Sequence, residues 1–280
     1  MYAVAETQYS SGASGSSASE FWDALAPYHF EIENNYLDVR SIRRLLGDFL
    51  PPVLVVGGGQ GLIVAEIRKS GVRCDGVDLS SEMIRYARLR RGIVLIQADA
   101  IALPIAEQTY GTVIYATGVV DFTGDEERIK LMLEEGRRVV TDSGKIFVAF
   151  SRISAAQESF LARVGLLSNN VLAFRQCLEP YLLNPAQSIA WVAKRAGLSY
   201  FRAALSLVRM AALSTMQEKR MTLRMQRIFR KLDDPCSLIN AAPETQPYRN
   251  EPEIRNLLKR LDIPVMQLET YTSCYIVRVQ

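Results

Sequence analysis

The run VLVVGGGQGL at residues 53–62 places an apolar segment directly before four glycines that one glutamine interrupts. Those glycines are Gly57, Gly58, Gly59 and Gly61. Because glycine has no Cβ atom, a ligand could lie against this backbone, and the N–H groups of a following helix would face it. A tight turn alone is the alternative. The run does not fit the G-x-G-x-x-G fingerprint of dinucleotide binding, because Leu62 or Val64 occupies its sixth position.

Two aspartates follow the next two apolar runs, and each could bind part of a nucleoside. Asp78 ends the run RCDGVDL, where a carboxylate can accept hydrogen bonds from both hydroxyl groups of a ribose. Asp99 ends the run IVLIQAD, where a carboxylate can accept a hydrogen bond from the exocyclic amine of adenine. The alternatives are a solvated acid at 78 and a cap of the following turn at 99.

The segments that must position these residues alternate between strand-like and helix-like patterns. The expected strands are residues 53–57, 73–79, 93–99, 112–117, 144–151, 264–271 and 273–279. The first five alternate with helices, which predicts a parallel sheet covered by helices on both faces. The last two follow a helix-like segment and lie close enough together to form an antiparallel hairpin at the sheet edge.

The domain organisation follows from where this alternation stops. Residues 152–250 are helical in character, so we predict a helical insertion there that caps the domain formed by residues 20–151 and 251–280. Such an insertion would lie over the carboxyl ends of the strands and shape a pocket there. The Ser- and Gly-rich start cannot bury enough apolar surface to fold, which predicts a disordered tail at residues 1–19.

The composition is typical of a globular cytoplasmic protein. Hydrophobic residues make up 49% of the chain and charged residues 22%. The four cysteines are scattered and His29 is the only histidine, which indicates reduced thiols and excludes a multi-histidine metal centre. We recognise no signal peptide, and arginines at 202 and 209 interrupt the most apolar stretch, so we predict no membrane span.

In order and spacing, these segments resemble the class I S-adenosylmethionine-dependent methyltransferases. The matching segments are VLVVGGGQG, GVDLSSEMIRYAR, IQADAIALPIAEQTYGTVIYATGVVDF, LEEGRRVVTDSGKIFVAFS and LLKRLDIPVMQLETYTSCYIVRV. The resemblance covers residues 20–151 and 251–280. It implies a Rossmann-like α/β fold whose seven-stranded, mostly parallel sheet has an antiparallel edge strand and helices on both faces, here with a helical cap insertion.

The resemblance also implies S-adenosylmethionine as the cofactor and gives roles to the matching residues. The glycine turn would lie beneath the methionine part, Asp78 would bind the ribose, and Asp99 would bind the adenine amine. Thr117 and Gly118 would flank the sulfonium. The other implied contacts are Leu79, Met83 and Ala100 at the adenine and Tyr28, His29 and Tyr36 in an N-terminal lid.

Three positions depart from the family pattern. Val55 stands where the family often has an acid, Tyr110–Gly111 replaces the usual Phe-Asp, and residues 142–144 read Asp-Ser-Gly rather than Pro-Gly-Gly. The loss of the acid at Val55 could weaken contact with the methionine amine of the cofactor.

Candidate catalytic residues are few, because a sulfonium methyl group is already activated and mainly needs an aligned acceptor. A base is required only if the acceptor must lose a proton. The candidates are Asp121 and Tyr115 near the end of the fourth strand, and His29 in the N-terminal segment. Each has a structural alternative: Tyr115 in the core, Asp121 at a helix start and His29 at the surface.

The insertion is basic, with 14 Lys and Arg against 6 Asp and Glu between residues 151 and 250. Most of the excess lies at 217–231, where an apolar stripe is flanked by basic residues. Such a helix could contact an anionic membrane surface or an acidic substrate, or it could pack on its own domain with solvated charges. It has few aromatic residues, so nucleic-acid binding is not favoured.

These observations favour methyl transfer from S-adenosylmethionine to a small, apolar or aromatic acceptor, because the insertion is rich in apolar residues. Val55 and the lack of an obvious base motivate an alternative, a non-catalytic regulatory or assembly protein that binds the same cofactor. GGGQG is also similar to the turn of aminopropyltransferases, although Asp121 alone stands where those enzymes have an acidic segment. A nicotinamide-dependent oxidoreductase is the remaining alternative, and the sequence predicts no oligomeric state.

Overall fold

The computed structural model describes residues 15–30, 44–214, 216–271 and 274–280. In chain order its strands are β1 (Val53–Val56), β2 (Cys74–Asp78), β3 (Ile96–Gln97), β4 (Tyr110–Tyr115), β5 (Val140–Ser151), β6 (Leu167–Ser168), β7 (Val171–Leu172), β8 (Gln246–Pro247), β9 (Val265–Thr270) and β10 (Cys274–Val279). Seven of them form a central sheet in the order β3-β2-β1-β4-β5-β10-β9. Neighbours from β3 to β5 are parallel, and β10 is antiparallel to both β5 and β9. The predicted sheet and its antiparallel edge hairpin are confirmed.

Helices cover both faces of this sheet. In chain order they are α1 (Gly15–His29), α2 (Leu62–Lys69), α3 (Ser81–Arg91), α4 (Glu126–Val139), α5 (Ala155–Arg163), α6 (Phe174–Leu178), α7 (Pro185–Ala196), α8 (Tyr200–Leu213), α9 (Met216–Lys231), α10 (Pro235–Ala241) and α11 (Glu251–Arg260). Residues of α4 and α11 pack on one face, and residues of α2 and α3 pack on the other. All residues of β1 and β4 are therefore buried, as strands covered on both sides should be.

The helix starts follow ordinary capping chemistry. The hydroxyl of Ser80 accepts a hydrogen bond of 3.0 Å from the N–H of Met83 at the start of α3. Asp125 caps α4 in the same way, and Asn250 caps α11. Helices α3 and α4 follow β2 and β4 in the chain, so they begin near the carboxyl ends of those strands, which is where a site is expected.

The insertion contains α5 to α10 and a small second sheet, in which β7 pairs with both β6 and β8. The sequence indicated a helical insertion and did not reveal this small sheet. Its strands are only two residues long, too short to show any alternation in the sequence.

The apolar stripe of α9 is buried, not exposed. Met225, Ile228 and Phe229 pack with Phe21 and Leu25 of α1 in one cluster. This settles one alternative for residues 217–231: the helix packs on its own chain, and its apolar side is not available to a membrane. No helix of the described residues is long and apolar enough to cross one.

Three element boundaries differ from the predicted ones. Helix α1 begins at Gly15, so the predicted tail of residues 1–19 ends too late, and the rest of that tail lies outside the described residues. Strand β3 has two residues rather than seven because it is an exposed edge. Strand β5 begins at Val140, since α4 runs into it without a loop.

The departure at Tyr110–Gly111 has a packing reason. The segment before β1 crosses β4 there: the N–H of Leu50 donates to the hydroxyl of Thr112 (2.8 Å), and the N–H of Gly111 donates to the carbonyl of Pro52 (2.9 Å). A Cβ atom on Gly111 would lie 2.5 Å from the carbonyl oxygen of Leu50. Any side chain at 111 would therefore displace backbone.

We expect Gly111→Ala to lower the free energy of unfolding by about 1–3 kcal/mol, because the added methyl group meets backbone that cannot move cheaply. Urea denaturation followed by circular dichroism measures this. Gly47→Ala is the matched control: a Cβ there meets nothing within 4 Å, so a change of no more than about 0.5 kcal/mol is expected. Equal effects of the two substitutions would contradict the crossing described above.

Candidate functional site

The glycine turn links β1 to α2 with a backbone that other residues adopt poorly. Gly57, Gly59 and Gly61 have φ angles of 74°, 53° and 81°. A Cβ on Gly57 would lie 2.2 Å from a methyl group of Val119, in the loop that follows β4. These three glycines are therefore needed by the turn and by the loop packed on it. Gly58 does not have a positive φ angle. Its N–H donates to the carbonyl of Val77 at 2.8 Å.

Asp78 ends β2 directly beside this turn. One carboxylate oxygen accepts from the N–H of Gly59 at 2.7 Å, and the other accepts from the N–H of Ser80 at 2.9 Å. Each oxygen keeps a further lone pair, so the group can still accept from two hydroxyls. Burial raises the pKa of Asp78, backbone hydrogen bonds oppose this, and the nearby charge of Asp23 adds to it.

Asp99 lies at the carboxyl end of β3 and already has two protein partners. Its carboxylate accepts a 2.5 Å hydrogen bond from Arg128 of α4 and a 3.3 Å bond from the N–H of Ile101. The turn-capping alternative is therefore present in the structure, together with an ion pair that sequence reasoning missed. A role at an adenine stays a prediction.

The other residues expected at the adenine lie along the same edge of the sheet. Leu79 is half-buried, whereas Met83 and Ala100 are buried. Thr117 and Gly118 follow β4 and are both half-buried. The structure thus gathers the predicted cofactor residues at the carboxyl ends of β1 to β4. Their contacts with a cofactor stay predictions.

Helix α1 lies across this edge and covers both ends of the site. The Trp22 ring reaches to 3.2 Å from the position that a Cβ of Gly118 would take, and the His29 ring reaches to 3.5 Å from that of Gly59. The two rings meet edge to face with centroids 6.0 Å apart. Trp22 was not a predicted site residue. Tyr28 packs in the cluster that α1 shares with the insertion, and Tyr36 lies outside the described residues.

The C-terminal end of α1 is held by the glycine turn itself. The last carbonyls of a helix have no partner within it. Gln60, fully buried, donates its side-chain amide to the carbonyl of Ala26, and Arg90 donates to the carbonyl of Pro27 at 2.7 Å. The glutamine of GGGQG therefore docks the helix that closes the site.

The middle of α1 is held at the start of α3. Asp23 accepts from the hydroxyl of Ser80 at 2.5 Å and from the N–H of Glu82 at 3.2 Å. Ser80 is the residue whose N–H donates to Asp78. Sequence reasoning missed Asp23 because its partners are more than fifty residues away and no local pattern marks the pair.

Two of the predicted catalytic candidates have structural roles. Tyr115 is fully buried and donates its hydroxyl to the carbonyl of Met132, and burial raises its pKa. Asp121 is also buried and accepts from Gly118 (N–H, 3.1 Å) and from the N–H and hydroxyl of Ser151 (hydroxyl 2.7 Å). The structural alternatives for both residues are therefore present, and a role as a base stays a prediction. Asp121 holds the loop that carries Gly118.

His29 is close to the site, but its environment makes it a weak base. It is buried rather than at the surface, which corrects that alternative. Burial, followed by the charges of Arg91 and Arg90, lowers its pKa to about 3. The imidazole is therefore neutral at physiological pH and serves to cover Gly59 with an uncharged ring.

Comparison with known sequences finds a match within this region. Residues 53–144, about a third of the chain, match the sequence model of a family described as a methyltransferase domain. The demethylmenaquinone methyltransferase of Corynebacterium urealyticum is 34% identical over 115 residues, which are 39% of this chain and 46% of that protein. The chain thus spans less than half the length of this relative.

Solved structures agree on the fold. A SAM-dependent methyltransferase of Methanosarcina mazei has a TM-score of 0.51 at 12% identity, over 84% of this chain and 96% of its own. A Rhodobacter sphaeroides structure described as a candidate zinc-dependent alcohol dehydrogenase has a TM-score of 0.58 at 11% identity. The match covers 94% of this chain and 97% of that one. At such identities the likeness shows the fold alone. The described residues contain no group of His, Cys, Asp or Glu side chains that could hold a metal ion.

The lowered pKa of His29 makes a prediction about acid stability. In the unfolded chain this imidazole takes up a proton near pH 6.5, whereas in the fold it does so only near pH 3. Above about pH 6.5 the imidazole is neutral in both states, so it does not reduce the free energy of unfolding. As the pH falls from 6.5 towards 3, only the unfolded chain takes up the proton, and the free energy of unfolding decreases. Between pH 7 and pH 5 the free energy of unfolding of the native protein should fall by about 2 kcal/mol more than that of the His29→Gln variant.

Urea denaturation of both proteins at the two pH values measures this difference. The chain has one histidine, so His29→Gln removes the only imidazole. The carboxylates contribute equally to the pH dependence of stability in both proteins, and their contribution cancels in the comparison. The readout is the pH dependence, so a uniform loss of stability in the variant does not affect it. Equal pH dependences would show that His29 is not buried as described.

Proposed function

We propose, from the premise that residues 53–144 form a class I methyltransferase domain, that this protein transfers a methyl group from S-adenosylmethionine to a small, apolar or aromatic acceptor. The observation behind the proposal is the pairing of the glycine turn with the Asp78 carboxylate on one edge of the sheet, beneath α1. The four free cysteines fit a reducing compartment, so we place the protein in the cytoplasm.

The residues present fit such a cofactor. Asp78 would bind the ribose through its remaining lone pairs, and the glycine turn would lie against the methionine part. The ligand would supply an electrophilic methyl group. The chain would align an acceptor with that group, and alignment of this kind contributes up to about 7–11 kcal/mol to a barrier. Trp22 and His29 would exclude water from above.

The acceptor proposal draws on the surroundings of Gly118. Trp22 contacts Phe122 at a centroid distance of 5.1 Å, and Phe122 contacts Phe174 of the insertion at 5.1 Å. This aromatic surface joins α1, the loop after β4 and the insertion at the end of the sheet where an acceptor must lie. The relative named for demethylmenaquinone, a quinone, supports an aromatic acceptor.

The states of Asp121 and His29 favour acceptors that need no strong base. Asp121 is committed to Gly118 and Ser151, and His29 is neutral with a low pKa. An acceptor that loses its proton readily would therefore suit this site, because proton removal then needs little help from the protein.

A second candidate is a protein that binds the cofactor without catalysis. The observation that favours it is Val55, which is fully buried where the family often has an acid. Asp121 already accepts hydrogen bonds from Gly118 and Ser151. This supports the same candidate and weakens the aminopropyltransferase alternative, for which Asp121 was the one nearby acid. Labelled cofactor and a panel of phenols, quinols and amines separate the candidates: binding without methylation of any acceptor would favour the second.

We expect isothermal titration calorimetry to detect binding of S-adenosylmethionine and S-adenosylhomocysteine. Asp78→Ala should raise both dissociation constants about 10–100-fold, because a hydrogen bond to a charged group contributes about 1.5–3 kcal/mol. Asp75→Ala on the same strand is the matched control, since Asp75 pairs with Arg68 at 3.3 Å instead.

The cofactor proposal fails if the native protein binds neither ligand at millimolar concentration. Tight binding of a nicotinamide dinucleotide in place of the adenosyl ligands would support the oxidoreductase alternative.

A further inference from the structure

Helix α8 of the insertion presents most of its large apolar side chains to solvent, although Leu207 packs against the rest of the insertion. Phe201, Val208 and Leu205 are 78%, 65% and 57% exposed, and Tyr200 at the start of the helix is 68% exposed. The residues of α8 that are buried are Ala203 and Ser206. A helix packed only for the stability of its own chain would have the reverse arrangement.

The exposed side chains form a continuous stripe. Positions 201, 205, 208 and 212 follow helical spacing, so they lie along one side of α8. Leu213 continues this surface at the end of the helix and is 60% exposed. Contiguous apolar surface of this kind on a folded domain usually contacts a partner or a membrane.

The charge around this stripe has one sign. Residues 197–217 contain Arg202 and Arg209, both exposed, and no acidic residue. The following helix α9 turns its apolar side towards α1 and carries further basic residues outward. Over residues 200–231 the single acidic residue is Glu218, which accepts from the N–H of Ser154 at 2.8 Å, and the basic ones are Arg202, Arg209, Lys219, Arg220, Arg224, Arg227, Arg230 and Lys231.

These arginines have few protein partners to neutralise them. Within the part of the chain that the structure describes, the arginines of α8 form no ion pair, and neither do Arg220, Arg224, Arg227 and Arg230 of α9. The positive charge of this part of the insertion is therefore available to an anionic partner.

The charge pattern selects between two occupants of the apolar stripe. A second copy of the chain would bring α8 against α8, with arginine facing arginine and no acid on either helix to compensate. An anionic bilayer surface instead offers an apolar layer for the stripe and negative head groups for the arginines.

We propose that α8 lies in the surface of an anionic lipid bilayer, with Phe201, Leu205 and Val208 entering the boundary between head groups and acyl chains. The arginines of α8 and the outward arginines of α9 would contact lipid phosphates. The helix does not span the bilayer, because its 14 residues are too few and two of them are arginines. This contact is independent of the proposed catalytic activity.

Vesicle co-sedimentation of the full chain tests the proposal. The native protein should bind vesicles of phosphatidylcholine with about one third phosphatidylglycerol at least about tenfold more tightly than phosphatidylcholine alone. Raising the salt from about 50 mM to about 500 mM should weaken this binding, because screening removes the attraction between arginines and head groups.

Two pairs of variants locate the contact. Phe201→Ser with Leu205→Ser should reduce binding to anionic vesicles at least about tenfold, whereas Met266→Ser, at an exposed apolar residue on β9, should not. Arg202→Gln with Arg209→Gln should weaken binding and reduce its salt dependence, whereas Arg88→Gln on α3 should do neither. All these side chains are exposed, so circular dichroism should show an unchanged fold.

No vesicle binding by the native protein at low salt would overturn the proposal, as would unchanged binding by the α8 variants. Sedimentation velocity gives the remaining outcome. If the native protein self-associates without lipid and Phe201→Ser with Leu205→Ser restores a monomer, the occupant of α8 is a second copy, and the proposal is wrong. Calorimetry with S-adenosylhomocysteine on the same samples keeps this result separate from the proposed function.

Discussion

The carboxylate of Asp78 connects the parts of the molecule that make the site. It accepts from Gly59 and so fixes the turn after β1, and it accepts from Ser80 and so fixes the start of α3. The hydroxyl of Ser80 in turn caps α3 and donates to Asp23 of α1. One half-buried acid at the end of β2 thus determines the relative placement of the turn, a helix start and the helix that covers both.

Holding the Asp78 carboxylate in this position disfavours its charged form, and this prepares the carboxylate to bind a ligand. Burial and the nearby Asp23 disfavour the charged form of Asp78, and the two backbone N–H groups compensate in part. Hydroxyl donors from a ligand would complete the compensation, because each carboxylate oxygen still has a lone pair. The two hydroxyl groups of a ribose would therefore supply the hydrogen bonds that the half-buried Asp78 carboxylate still lacks.

The cover over the site follows from helix chemistry. Helix α1 ends above the glycine turn, and its last carbonyls need donors from outside the helix. Gln60 supplies one from the turn and Arg90 supplies another from α3. The same buried environment, with two arginines nearby, keeps His29 neutral above Gly59. Closure of the site and an uncharged ring at its rim thus arise from one packing arrangement.

Local patterns in the sequence were sufficient to predict the sheet, its antiparallel edge and the glycine turn with Asp78. Each of these depends on residues adjacent in the chain, such as the buried runs of β1 and β4. The roles of Asp23, Gln60 and Trp22 depend on partners tens of residues away, which periodicity does not reveal. The sequence left Tyr115 and Asp121 between two interpretations, because a polar residue near a strand end suits both a catalytic site and a buried structural hydrogen bond. The structure shows their partners, which the sequence could not.

The most direct measurement is a crystal structure of the protein grown with S-adenosylhomocysteine. We expect adenosyl density between Gly59 and Gly118, with both ribose hydroxyls within hydrogen-bonding distance of the Asp78 carboxylate and Trp22 over the ligand. Density for the ligand at another place on the chain, or a ribose that does not contact Asp78, would contradict this expectation.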